Sequence, residues 1–238
     1  MIRMVLCFAV MLGVWLNPAP ALAAATVSEA DLLAEHLLWA VGGRSAWTSV
    51  TSTIVYSDQY RQHDGAAVGA VSTIDYEQSR LRIDTTGRSL PQVRIIDSEG
   101  DRSWRVDQQG RLEKVAEDLL ARDLRRYTGH VYQTLQRIAI RDPKLRLAIG
   151  RNGSLEVYES STRIAWYRLD ARGEPYAMGA SDDKVGVICG PWELEKRGIR
   201  YPLWVSRPDG SWRAMLKSLV VNAHLDDELF TPSLAADQ

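Results

Sequence analysis

Leu81-Arg82-Ile83-Asp84-Thr85 alternates apolar and polar side chains, the period of a strand with one buried and one wet face. The same alternation runs through Val50/Ile54/Tyr56, Val93/Ile95, Trp104/Val106, Leu155/Val157, Ile164/Trp166, Trp192/Leu194, Tyr201/Leu203/Val205 and Trp212/Ala214/Leu216. Turn-forming pairs stand between these runs: Asp64-Gly65, Glu99-Gly100, Gln109-Gly110, Asn152-Gly153, Arg172-Gly173 and Asp209-Gly210. Asn-Gly and Asp-Gly tolerate positive φ, so successive strands are expected to pair as antiparallel hairpins. Helical spacing interrupts the pattern twice. Ser28-Glu29-Ala30-Asp31 matches a capping box ahead of Leu32, Leu33, His36, Leu37 and Ala40, and Gly42-Gly43 ends the run, with strand period resuming from Thr48. Between Leu112 and Ile140, Ala116, Leu120, Leu124, Tyr127, Val131, Leu135 and Ile138 recur in steps of three and four. Gly129 is expected to bend or split this second segment, and Asp142-Pro143 to end it.

A meander of about ten strands must close, split into two packed sheets, or curl around something that covers its concave face. Two amphipathic helical segments are available as that cover. The volume they enclose is either packed core or a ligand cavity. Residues placed to line it are Leu81, Ile83, Trp104, Ile164, Trp166 and Leu203 from the strands, with Leu120, Leu124 and Tyr127 from the second helical segment.

The first residues have the form of a removable export signal. Arg3 precedes the apolar run Met4 to Leu16, and Ala21-Leu22-Ala23 is an A-x-A cleavage site. This predicts a signal peptide over 1–23, a single domain over 24–238, and a periplasmic product without a transmembrane segment or lipid anchor. Of 29 basic and 30 acidic side chains in the 238 residues, cleavage removes only Arg3, which leaves a slightly acidic chain with interleaved charges. Nucleic acid is therefore not an expected partner. Cys189 alone survives cleavage, so no intramolecular disulfide is expected.

Motif chemistry is sparse. His36, His63, His130 and His224 are scattered without metal-ligand spacing, and no H-E-x-x-H, C-x-x-C, G-x-S-x-G or phosphate-cradling glycine loop occurs. No metal or cofactor is expected, and no catalytic constellation. Asp226-Asp227-Glu228 beside His224 is either an acid-base group or the start of a final turn that buries Phe230. Cys189 is either a reactive thiol or, among apolar neighbours, a small core residue. Arg122, Arg125 and Arg126 either meet a phosphate or acidic partner, or form a solvated face balanced by Glu117, Asp118 and Asp123. Eight Trp and nine Tyr against two Phe, of which Trp15 and Phe8 fall in the signal, suit a lipid pocket, sugar stacking or an ordinary core.

The C-terminal third carries a resemblance. Gly198-Ile199-Arg200-Tyr201-Pro202-Leu203-Trp204-Val205 precedes Asp209-Gly210, a strand to Asn222, and Leu225-Asp226-Asp227 with Leu229-Phe230 and Pro232. Together with the export signal and the early helix ending in Gly42-Gly43-Arg44 before a first strand over Trp47 to Tyr56, this resembles the superfamily of periplasmic lipoprotein carriers with the LolA-type fold. The resemblance implies an α+β protein, mostly antiparallel β, in which a curved open half-barrel carries helices over its concave face. It also implies a non-enzymatic role: holding an acyl chain, lipid or lipoprotein, or, as the alternative, serving as an interaction or sensor module with a filled core that binds an envelope protein.

Overall fold

The computed structural model describes residues 28–62, 65, 67–87, 93–107, 109–181 and 185–232. The export segment, His63 and Asp64 of the first expected turn, and the tail from Leu234 lie outside them. The chain opens with α1 (Glu29–Ala40) and α2 (Arg44–Thr48), then β1 (Ser52–Arg61), β2 (Ala67–Asp75), β3 (Arg80–Thr86), β4 (Val93–Asp97), β5 (Arg102–Val106) and β6 (Leu112–Lys114). Two helices follow, α3 (Glu117–Thr128) and α4 (Val131–Ala139). The second half comprises β7 (Leu145–Ile149), β8 (Leu155–Glu159), β9 (Thr162–Leu169), β10 (Pro175–Ala180), β11 (Val187–Cys189), β12 (Trp192–Leu194), β13 (Arg200–Pro202), β14 (Trp204–Ser206) and β15 (Trp212–Val221), and ends in a 3-10 turn at Asp227–Phe230.

Among the described residues, thirteen strands form one antiparallel sheet in the order β6-β5-β4-β3-β2-β1-β15-β14-β11-β10-β9-β8-β7, and β12 pairs with β13 in a small separate ribbon. Two meanders thus meet where β1 pairs with β15. The two edge strands are joined through α3 and α4, so the helical pair must cross from one wing of the sheet to the other. Helix α3 packs on β4 and β5, while α1 packs on β7 and β8. One cluster gathers Leu81 and Ile96 from the first wing, Leu155 and Tyr167 from the second, and Leu38, Trp47 and Leu135 from the helices. These strands lie too far apart to share one core on a flat sheet, given a spacing of about 4.8 Å per strand. The sheet curls, and the helices fill its concave side.

Local sequence explains several boundaries. Ser28 Oγ accepts the Asp31 N–H at 3.1 Å and the Asp31 carboxylate accepts the Ser28 N–H at 3.2 Å, completing the capping box that starts α1. The buried face of α1 is Ala30, Ala34, Leu37 and Leu38, whereas Leu32 is 53% exposed and His36 lies in solvent. The expected apolar stripe is rotated because small alanines, not the leading leucines, allow close approach to β7 and β8. Trp47 does not open the first strand. Positive φ at Gly42 and Gly43 turns the chain into α2, and β1 begins only at Ser52. Leu112 belongs to β6 rather than to the helical segment, which begins at Glu117.

The helical segment is split at Gly129, as its sequence suggests, and the cause is contact. A β-carbon at Gly129 would lie 2.6 Å from the Ile164 carbonyl oxygen and 3.0 Å from Ala180 Cβ, so only glycine lets the junction sit on β9 and β10. The run Tyr201/Leu203/Val205 is two strands, not one. Pro202 has no N–H for a ladder, and the Leu203 N–H instead donates to the Pro191 carbonyl at 2.8 Å. Asn222, at φ 54°, accepts the Thr51 N–H at 2.8 Å and donates to the Ser49 carbonyl at 2.9 Å, which ties the end of β15 to the start of β1. Phe230 is buried in the final turn, and beside it Arg80 pairs with Asp75 at 2.6 Å and Asp227 at 2.8 Å. Among the described residues no helix is long and apolar enough to cross a membrane.

Candidate functional site

Register sets the inner face of the first wing. Ile83 pairs with Arg94 and Arg94 with Arg105, while Leu81 pairs with Ile96 and Ile96 with Ser103. Arginines 94 and 105 therefore stand directly opposite one another on neighbouring strands, an arrangement that like charges disfavour. Helix α3 supplies the counter-charge. The Asp123 carboxylate accepts Ser103 Oγ–H at 3.0 Å and Arg105 Nη2–H at 3.1 Å, and lies 3.9 Å from Arg94 Nη1. At 2% exposure it is among the deepest charged residues. Burying a carboxylate is tolerable only where such partners surround it.

A cleft opens beside this cluster between α3, the start of α4 and the two wings. One lobe, of about 610 Å³, has apolar walls of Val131, Ala165, Tyr167 and Met178. The other, of about 720 Å³, is lined by Ile83, Arg94, Arg105, Asp123, Gln59, Arg61 and Trp212. Arg122, Arg126, His130, Val187 and Arg207 belong to both, so the lobes are continuous. Strands β5 and β11 both touch the second lobe. They are seven strand spacings apart, about 33 Å on a flat sheet, and a cavity of this size spans that distance only because the sheet curls around it. Among the described residues, seven arginines against the single carboxylate of Asp123 line the two lobes.

This crowding has electrostatic consequences. Burial first, and then the charges of Arg126, Arg105 and Arg122, bring Arg94 down to about 10 against the opposing pull of Asp123. Arg126 is lowered in the same way, by the surrounding protein first and by Arg122 and Arg105 as well, although the residue as a whole stays open to water. Both remain cations at neutral pH. Among the described residues, Arg94 Nε, Arg105 Nε and His130 Nδ1 are buried without a hydrogen-bond partner. Such groups are costly unless something meets them.

His130 is held neutral. Burial, then the Arg126 charge, pushes its pKa down to about 4 from an ordinary 6.5. Between these values the unfolded chain binds a proton that the folded chain does not, so stability is retained above pH 6.5 and lost as pH falls toward 4. We expect an acid loss of a few kcal/mol in urea midpoints measured between pH 7 and 4, much reduced in His130→Gln. A wild-type profile unchanged by that substitution would exclude His130 as the source.

The cavity residues expected from sequence separate into four groups. Ile83 lines the cleft. Leu81, Ile164 and Tyr127 belong to the packed core, and Leu124 packs against it. Leu120 and Leu203 are half-buried at other positions. Trp104 and Trp166 are on the opposite, convex face: Trp104 sits opposite Ile95 between the inward-facing Ser103 and Arg105, and Trp166 lies over Gly179, where a β-carbon would come within 2.5 Å of its indole nitrogen. Ile164 reaches the core as the extra residue where the β8–β9 register shifts. Cys189 faces inward, half-buried, and burial pushes its thiol up to about 12. Arg122, Arg125 and Arg126 are exposed to water and line the cleft, whereas Asp123 is buried against Ser103 and Arg105 and does not share their solvated face. Glu117 and Asp118 are exposed.

Arg94 and Arg105 went unnoticed in the sequence, and His130 was read only as one of four scattered histidines. The signal available was Arg94 and Arg105 alternating with Ile95, Trp104 and Val106, which is compatible with either face being the inner one.

No protein-family model matches the chain, and no curated protein matches it in sequence. Among solved structures it is similar to a DUF1329 family protein from Desulfovibrio piger, at 10% identity and a TM-score of 0.44, over 86% of this chain and 97% of that one. It is also similar to an uncharacterized conserved protein from Thermus thermophilus, at 9% identity and a TM-score of 0.32, over 78% of this chain and 88% of that one.

Proposed function

We propose that this chain is a non-enzymatic, periplasmic binding protein that holds an acyl-chain amphiphile between α3–α4 and the concave face of its sheet. The observation that carries the proposal is the continuity of an apolar lobe with a cationic one. A chain-like ligand seats its tail against Val131, Ala165, Tyr167 and Met178 and leaves its polar end among the arginines. Each lobe falls in the few-hundred-Å³ range usual for small-molecule sites. The resemblance of the C-terminal segment to the LolA-type lipoprotein carriers and the export-type start of the chain support an envelope role of this kind.

Organic extraction of the purified protein followed by mass spectrometry tests the idea directly. Lipid is expected in near-stoichiometric amount, and re-adding a twelve-carbon amphiphile at about a hundred times its Kd should stabilise the stripped protein by ~2.7 kcal/mol, several degrees in Tm. Extracts free of lipid, together with no response to amphiphiles, would refute carriage and favour an interaction module that works through its outer surface.

A further inference from the structure

We infer that the second lobe of the cleft is a phosphoryl-group site, in which Arg94 and Arg105 from the sheet and Arg126 from α3 converge on the oxygens of a phosphate monoester. The inference deepens the amphiphile proposal by naming its head group, and rests on it for the attached chain. Arg94, Arg105, Arg122 and Arg126 carry four positive charges against the single charge of Asp123 among the described residues of the lobe, an excess of three. A carboxylate cancels one of these. A phosphate monoester, close to dianionic at neutral pH, cancels nearly two.

Geometry points the same way. Asp123 engages only terminal nitrogens of Arg94 and Arg105, so the Nε–H of each stays buried without a partner. Donors arriving from two strands and a helix surround a tetrahedral group better than a planar carboxylate, and guanidiniums pair with phosphate through adjacent N–H groups. The Arg94–Arg105 rung needs an anion on its open side, as Asp123 serves its other side.

The test is calorimetric titration of the full chain at pH 7.5 and fixed ionic strength with dodecyl phosphate, dodecanoate, dodecyl maltoside and inorganic phosphate. Dodecyl phosphate should bind at least about tenfold tighter than dodecanoate or dodecyl maltoside. Arg94→Gln should abolish most of that preference and leave dodecyl maltoside unaffected. Arg126→Gln, at a residue open to water, should do the same and serves if the first variant folds poorly. Arg168→Gln, beside Trp166 on the convex face, should change nothing. Equal affinity for the three amphiphiles, or a preference that survives both cleft variants, overturns the phosphoryl site while amphiphile binding stands. Inorganic phosphate that binds as tightly as dodecyl phosphate, and loses affinity in the same variants, upholds the site and overturns the amphiphile. Failure of all four ligands to bind overturns both.

Discussion

Asp123→Asn is expected to destabilise the protein by roughly 3–5 kcal/mol, the cost of leaving buried charges without their counter-ion. The side chain keeps its size and its hydrogen bond to Ser103, so the loss isolates charge from packing. Arg94 and Arg105 would then face each other on adjacent strands with Arg126 and Arg122 nearby, and the one carboxylate among the cleft's described residues would be gone. Urea unfolding followed by circular dichroism measures the effect. A loss below about 1 kcal/mol would mean that the arginines are solvated well enough to need no anion. Raising the salt concentration should recover part of the loss, because screening relieves repulsion among the charges that water reaches.

Trp47→Ala should cost a similar ~3–5 kcal/mol, for a different reason. The indole is fully buried, donates its Nε1–H to the Val41 carbonyl at 3.0 Å, and stacks on Tyr132 at 6.0 Å between centroids. It is the main apolar link between α2 and α4, reinforced by Arg44, which pairs with Glu35 at 2.6 Å and donates to the carbonyls of Ile138 and Ala139. Truncation opens a cavity the size of an indole in a region pinned on both sides, so collapse can refill little of it. Trp47→Phe retains the stacking and should lose only about 1 to 3 kcal/mol, from the lost indole N–H bond and the smaller ring, while the Val41 carbonyl still accepts the Arg200 N–H at 2.9 Å. If alanine costs no more than phenylalanine in the same unfolding experiment, the contact is less tightly packed than its burial indicates.

The alternation of side chains and the turn pairs made the antiparallel strands and their hairpins legible. Examples are β7–β8 around Asn152-Gly153 and β14–β15 around Asp209-Gly210. The capping box of α1 and the break at Gly129 were legible for the same reason: each is written in residues next to one another in the chain. Strand number and the need to bury one face left a closed barrel, two packed sheets or a curl open, and the curl itself was implied by resemblance. Facing was not legible. A period of two is unchanged when a strand is turned over, and in β4, β5 and β9 both faces carry large side chains. Trp104 and Trp166 therefore read as the inner set, whereas in the fold Arg94, Ser103, Arg105, Ala165 and Tyr167 turn toward the helices. Only the tertiary structure decides this, because what makes an inward arginine tolerable is a carboxylate on α3 some twenty residues further along the chain, and no local pattern records that encounter. Sequence by itself determined the elements and their order. The curled packing determined which side of each strand met the helices, and so turned dispersed arginines into a cleft.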